Sequence, residues 1–206
     1  KKKREKVAFV LHTQAVENNG TDLPAVVEEL CPDLNIIFST NKLSNQHLNY
    51  LYNIADVTIN LASNEGFGLG TCESLMCGTP IIVNVTGGMQ DQCGFRLSDE
   101  LLTYEDYADV ETLHDWRKWE NNKSLTYGEW VKPVWPRSRS LQGSIPTPYI
   151  FDDRCDWVDV SEKIREWYDM GKEERESCGR EGYEFVCRSE ERRVGKECRF
   201  RWSPYH

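Results

Sequence analysis

Short apolar runs recur through roughly the first eighty residues of the chain. They are rich in β-branched side chains and lie at residues 7–11, 36–38, 57–61 and 81–83. Apolar runs of this length are typical of strands that are buried on both faces, as in parallel sheets. The pattern therefore predicts four parallel strands.

Helical patterns fill the gaps between these runs, at residues 23–31, 44–55 and 69–77. Ser44 is a natural N-cap for the second helix, and Gly78 followed by Pro80 ends the third. Because strands and helices alternate, the predicted fold class is α/β, with a Rossmann-like doubly wound parallel sheet. Such a sheet binds ligands at the carboxyl ends of its strands.

The periodicity fails between about residues 87 and 150, although this stretch is rich in tryptophan. Its four tryptophans are Trp116, Trp119, Trp130 and Trp135. We interpret the stretch as an ordered Trp-rich insertion that covers the sheet, with room for a helix within residues 106–119. Helical patterns resume at residues 162–170, with Ser161 as the expected cap, and at residues 172–186.

The net charge of the chain is −9, from 25 basic and 34 acidic residues. Nucleic-acid binding needs a concentrated basic face, so this balance argues against a nucleic acid as the partner. No apolar run approaches the roughly 18 residues of a membrane span, and no signal peptide is visible. The chain also begins without Met. We expect an internal fragment of a longer, cytoplasmic protein.

The eight cysteines form no C-x2-C pair. Neither a zinc ribbon nor a redox motif is therefore indicated, and we expect scattered reduced thiols. A metal site built from His114, Asp115, Asp152 and Asp153 lacks a suitable ligand spacing, so these acids are expected at the surface.

The last segment, residues 188–206, resembles the translation of a sequencing-library adapter. It carries six basic and three acidic residues, so without it the net charge would fall from −9 to −12. It shows no apolar periodicity. We expect a non-native tail; the alternative is an authentic basic end of the last helix.

The most informative pattern lies at residues 64–80 and reads NEGFGLGTCESLMCGTP. Gly66 and Gly68 let the backbone approach a ligand closely, and the following helix start offers unpaired N–H groups. Together they form a cradle for a diphosphate without any basic residue. Glu65 lies in the loop and Glu73 on the helix, and their carboxylates can accept hydrogen bonds from sugar hydroxyls. A ligand with a sugar, a diphosphate and a ribose would match all three features.

This pattern resembles the retaining glycosyltransferases of the GT-B fold, specifically the family 4 type, in which two glutamates form an E-x7-E motif. Glu65 and Glu73 have that spacing. The resemblance implies that Glu65 is the catalytic residue and contacts the donor sugar. It further implies that the diphosphate of a nucleotide-diphosphate sugar is bound by the backbone N–H groups of Phe67, Gly68 and Leu69, and the ribose by Glu73. Gly66 is the remaining donor-binding residue that it implies.

The resemblance makes residues 1–187 a nucleotide-sugar donor-binding domain, one half of a GT-B two-domain enzyme. It implies sugar transfer with retention, without a cofactor or a metal. The implied partners are a nucleotide sugar and an N-terminal acceptor domain of the same chain that is missing here. The acceptor, soluble or at a membrane surface, stays open.

Two departures from the family pattern and three alternatives remain. The basic pair that grips the donor diphosphate has no clear match in this chain, and the Trp-rich insertion is longer than usual. A nucleotide-sugar epimerase and a non-catalytic sugar-nucleotide-binding module are the alternatives within the same binding chemistry. A dinucleotide enzyme is disfavoured because Thr71 takes the place of the third glycine in G-x-G-x-x-G.

Overall fold

A computed structural model describes residues 7–17, 20–102, 122–143, 145 and 149–193, the last five of these by their backbone alone. Its contacts divide the chain into two compact units, residues 1–45 and 46–206. The prediction of a single donor-binding domain over residues 1–187 stays a prediction. We describe each unit by itself.

The first unit is a βαβ element. Its parts are β1 (Ala8–Leu11), α1 (Leu23–Leu30) and β2 (Asn35–Phe38), and the two strands pair in parallel. The side chain of Asp22 caps α1 by accepting a hydrogen bond from the Ala25 N–H at 3.1 Å. Val10 and Ile37 are exposed. The expectation of strands buried on both faces is therefore wrong here, because alternate side chains of each strand face the solvent.

Apart from Asn45 at the boundary, the second unit contains the remaining elements. In chain order they are α2 (Asn45–Ile54), β3 (Thr58–Asn60), α3 (Leu69–Met76), β4 (Ile81–Asn84), α4 (Met89–Gln92), β5 (Arg96–Leu97), β6 (Glu100–Leu101), β7 (Leu125–Thr126), β8 (Val131–Val134), β9 (Pro136–Gln142), β10 (Ile150–Cys155), α5 (Trp157–Met170) and α6 (Lys172–Arg193). Strands β3, β4 and β8 form a parallel sheet with β4 in the middle. The predicted α/β class with parallel strands is confirmed.

Strand β8 lies inside the stretch that we interpreted as an insertion, so that interpretation is wrong for residues 131–134. The strand completes the central parallel sheet, with Ile81 of β4 paired to Val131. Lys132 and Pro133 interrupt its apolar pattern. A proline has no N–H to donate to a neighbouring strand. It is tolerated here because β8 is an edge strand of this sheet and has a neighbour on one side only.

Two apolar clusters cover the faces of this sheet. Because neighbouring side chains of a strand face opposite ways, Ile81 and Val83 enter one cluster and Ile82 enters the other. Leu75 of α3 packs in the first cluster, and Trp167 of α5 in the second. Helices therefore cover both faces, as expected for a doubly wound sheet.

The predicted cover is present in part. Strands β9 and β10 form an antiparallel hairpin, and β5, β6 and β7 form a small antiparallel sheet. Trp130 is buried in the first apolar cluster. The helix expected within residues 106–119, with Trp116 and Trp119, lies outside the described residues.

The two C-terminal helices differ from prediction at one end each. Helix α5 starts five residues earlier than expected, because the side chain of Asp156 caps it by accepting from the Val158 N–H at 2.7 Å. Ser161 lies inside the helix and donates to the Val158 carbonyl. Helix α6 continues past residue 186 to Arg193, and an Arg188–Glu184 ion pair spans its added turn. The adapter resemblance of residues 188–206 stays a prediction.

Candidate functional site

The glycine loop lies where the sequence predicted it, between the carboxyl end of β3 and the start of α3. Gly68 precedes α3 in the left-handed conformation, with φ of 81°. A β-carbon added there would lie 2.9 Å from both Met89 Cγ and Thr71 Oγ1. Gly66 has no atom within 4 Å of the corresponding position. Gly68 is thus required by its backbone and its packing, whereas Gly66 is exposed and faces open space.

No side chain caps the amino terminus of α3. The Cys72 N–H bonds the Gly68 carbonyl at 3.1 Å, so the N–H groups of the preceding positions have no partner within the helix. Unpartnered N–H groups at a helix start attract anions through their partial positive charge. The geometry of an anion cradle is therefore present.

A second glycine pair supports the loop from behind. The Gly88 N–H donates to the Glu65 carbonyl at 3.0 Å. A β-carbon on Gly87 would collide with that carbonyl, and one on Gly88 with the backbone of Gly66 and Phe67. The turn after β4 can lie this close only because both residues lack side chains.

Gln92, at the end of α4, holds two carbonyl groups of the glycine loop. Its side-chain Nε2 donates to the Phe67 carbonyl at 2.6 Å and to the Gly68 carbonyl at 3.0 Å. The Gln92 backbone carbonyl in turn accepts from Trp130 Nε1 at 2.9 Å. The ring of Trp130 stacks on Phe185 of α6, with the ring centroids 4.6 Å apart. The loop is thereby tied to the apolar core.

The two glutamates of the predicted motif are both half-buried and each has a partner. Asn60 Nδ2, at the end of β3, donates to Glu65 Oε1 at 3.4 Å. The Tyr52 hydroxyl, from α2, donates to Glu73 Oε2 at 3.1 Å. Each carboxylate is thus oriented by a side chain from a neighbouring element.

The carboxylate of Glu73 also raises the pKa values of two neighbouring groups, Tyr52 and Cys77. Burial and the nearby Glu73 charge raise the pKa of Tyr52 above its ordinary value, and the hydrogen bond to Glu73 adds to this rise. Burial, followed by the same charge, raises the pKa of the Cys77 thiol to about 11. Tyr52 therefore stays a hydrogen-bond donor toward Glu73 at neutral pH.

A buried polar network lies beside the loop that precedes Glu65. Asp153 of β10 accepts from Arg139 at 2.5 and 2.8 Å and from the Thr86 hydroxyl at 2.9 Å. The Asp153 N–H donates to the Ser63 carbonyl, and Asn84 Nδ2 donates to the Asp153 carbonyl, each at 2.7 Å. The expectation that Asp153 is a surface acid is wrong, because strand β10 carries it against the ends of β3 and β4.

The structure places Glu65 to Gly68 in the loop before α3, and Leu69 and Glu73 on that helix; their roles in donor binding stay a prediction. The sequence analysis missed Asn60, Tyr52, Gln92 and Arg139. Asn60 is the last residue of the strand before the motif, and Tyr52 lies on the predicted helix before that strand. The predicted order of elements could therefore have indicated that both lie near the site. Gln92 and Arg139 had no local signal.

Two absences concern the described residues alone. They contain no group of three or more His, Cys, Asp or Glu side chains that is arranged to hold a metal ion. Within the same ranges, no helix combines the length and the apolar composition that crossing a membrane requires.

Residues 26–95, about a third of the chain, match the model of the family described as Glycosyl transferases group 1. The match includes the glycine loop, both glutamates and the glycine pair after β4. The similarity to this family is therefore limited to the segment that carries the candidate site.

Two curated relatives carry the name D-inositol 3-phosphate glycosyltransferase. The one from Geodermatophilus obscurus is 32% identical over 98 residues, which are 46% of this chain and 22% of the relative. The one from Thermomonospora curvata is 40% identical over 62 residues, which are 30% of this chain and 14% of the relative. The chain thus spans less than a quarter of the length of either relative.

Proposed function

We propose that this chain is the donor-binding part of a glycosyltransferase that transfers a sugar from a nucleotide-diphosphate sugar to an acceptor, with retention and without a metal. One observation carries the proposal: an uncapped helix start at the carboxyl end of a parallel strand, reached through a glycine loop and accompanied by two oriented glutamates. It lies within the segment that matches the glycosyltransferase family.

In this proposal a separate protein group binds each of the three parts of the donor: the diphosphate, the sugar and the ribose. The N–H groups from Phe67 to Leu69 bind the diphosphate, whose negative charge the start of α3 favours. Glu65, held by Asn60, accepts hydrogen bonds from the sugar and acts as the catalytic residue. Glu73, held by Tyr52, accepts hydrogen bonds from the ribose hydroxyls.

The proposed transfer needs little covalent chemistry from the protein. The bond between the sugar C1 and the diphosphate oxygen breaks, and a new bond forms from C1 to the acceptor oxygen on the same face. The acceptor hydroxyl proton passes to an oxygen of the leaving diphosphate. The protein stabilises the charge that develops on that diphosphate, and fixed N–H groups do this without reorganisation.

The proposal includes an N-terminal domain of the whole protein that binds the acceptor. The relatives are named D-inositol 3-phosphate glycosyltransferase, and the proposal leaves a phosphorylated acceptor and an acceptor at a membrane surface both open. Cys31, Cys77, Cys93, Cys155 and Cys178 carry free thiols, which supports the proposal of a cytoplasmic location.

Thermal unfolding with UDP, GDP and ADP in turn tests the donor site. A ligand that binds only the folded state raises the unfolding temperature. We expect one base to give the largest rise and Glu73→Ala to abolish it. Glu162→Ala, which removes an exposed carboxylate from α5, is the matched control. No rise with any nucleotide from a cooperatively folded protein would contradict the proposal.

The two alternatives have separate tests. An epimerase would convert the nucleotide sugar without an acceptor, so product analysis of the whole protein in the absence of acceptor distinguishes it from a transferase. A non-catalytic binding module would bind the nucleotide, yet the whole protein would release no nucleotide diphosphate when an acceptor is supplied.

A further inference from the structure

We propose that Gln92 is a positioning residue that turns the N–H groups of the glycine loop toward the donor diphosphate, with Trp130 holding Gln92 in place. This inference rests on the proposed function and deepens it, because it assigns the orientation of the diphosphate cradle to residues outside the 64–80 motif.

The first argument is the geometry of the peptide units. A peptide is planar and trans, so a carbonyl and the N–H of the next residue point in opposite directions. Gln92 Nε2 binds the carbonyls of Phe67 and Gly68. The N–H groups of Gly68 and Leu69 therefore point away from Gln92. A primary amide has two N–H groups, so one Gln92 side chain can serve both loop carbonyls.

The second argument is that the fold alone does not favour a glutamine here. The residue is only 4% exposed, and among the described residues its Oε1 has no hydrogen-bond partner. A buried acceptor without a partner lowers stability. An apolar side chain of the same length would fill the space without that cost, but the Phe67 carbonyl would lose the amide that it accepts from, and the Gly68 carbonyl would keep only the Thr71 hydroxyl and the Cys72 N–H among its described donors.

The third argument is the support behind Gln92. Trp130 is buried, donates from Nε1 to the Gln92 carbonyl and stacks on Phe185. Trp130 comes directly before β8, so the central sheet fixes its backbone. The Trp-rich stretch thereby gains a role in the site: Trp130 holds Gln92, and Gln92 holds the glycine loop.

The test compares Gln92→Met, which keeps the length and loses both N–H groups, with Gln90→Met. Gln90 lies on the same short helix, and its amide bonds the Gly87 carbonyl instead of the glycine loop. Calorimetric titration measures the affinities for UDP, GDP and ADP and for the matching nucleosides. Nucleosides lack the diphosphate and depend on contacts such as that of Glu73, so the ratio of the two affinities isolates the cradle.

We expect Gln92→Met to lower the ratio of diphosphate to nucleoside affinity at least tenfold, with the nucleoside affinity within twofold of the wild type. Gln90→Met should leave both unchanged. An unchanged ratio in Gln92→Met would overturn the inference. A parallel fall in both affinities would also overturn it, since that is the result of general structural damage.

Hydrogen exchange of the Cys72 amide separates this inference from the proposed function. That amide bonds the Gly68 carbonyl, which Gln92 also holds. Exchange should be at least tenfold faster in Gln92→Met and unchanged in Gln90→Met, with or without a ligand. If the wild type shows no preference for a diphosphate but this exchange result holds, the proposed function fails while the hold on the loop is supported. Unchanged exchange refutes that hold.

Discussion

Removal of the Arg139 side chain should destabilise the protein more than removal of its partner carboxylate. The Asp153 side chain is 5% exposed, whereas the Arg139 side chain is 24% exposed. In Arg139→Leu the buried carboxylate loses two charge-assisted hydrogen bonds, and the Thr86 hydroxyl is the one donor that it keeps among the described residues. A buried charge left without its partner costs about 3–5 kcal/mol. In Asp153→Asn the guanidinium can turn toward water, so we expect a loss of about 1–3 kcal/mol.

Urea unfolding followed by tryptophan fluorescence measures both losses. The double variant Arg139→Leu with Asp153→Asn should lose less than the sum of the single variants, because no buried charge remains in it. The reasoning would be refuted if Arg139→Leu cost less than Asp153→Asn, or if the two losses were additive. Arg154→Leu, on the same hairpin and largely exposed, is the control.

The remaining predictions concern the loop and its neighbours. Gly68→Ala should cost more than about 2 kcal/mol in urea unfolding, since it combines a left-handed backbone with steric contact; Gly66→Ala should stay within about 0.5 kcal/mol, and equal losses would contradict the assigned roles. Tyr52→Phe should lower the free energy of unfolding by about 1–2 kcal/mol in urea and weaken nucleotide binding in calorimetric titration, because the hydrogen bond to the Glu73 carboxylate is lost. Unchanged values in both assays would count against a role for this hydrogen bond. Peptide-resolved alkylation of Cys77 should rise with pH toward about 11 and be slow at neutral pH, where the thiol is protonated; a plateau near pH 8 would contradict the raised pKa.

The positions of most early elements could be predicted from the sequence, because they depend on local patterns. Helix α3 was expected at residues 69–77 and is observed at Leu69–Met76. Its start follows from Gly68 and its end from Gly78, whose φ of 74° is the left-handed conformation that a helix end favours. Local chain stiffness and capping determine such boundaries, so they can be read from neighbouring residues.

Strand β8 shows where this kind of reading fails. Its four residues include a lysine and a proline, and Lys132 lies over the ring of Trp167 at 5.0 Å from the centroid. The aliphatic part of a lysine can pack on apolar surface, so the residue is compatible with a largely buried strand. Only the neighbouring strand β4 and helix α5 make that arrangement favourable.

The sequence by itself determined the α/β pattern, the glycine loop and the spacing of Glu65 and Glu73, since each depends on residues close together in the chain. The tertiary structure decided which side chains hold that loop. The Gln92 side chain bonds the Gly68 carbonyl from 24 residues away, and the Asp153 N–H bonds the Ser63 carbonyl just before the loop; neither residue lies in a pattern that marks it. Hydrogen bonds between distant elements form only after the sheet has brought those elements together, and for that reason local periodicity carries no record of them.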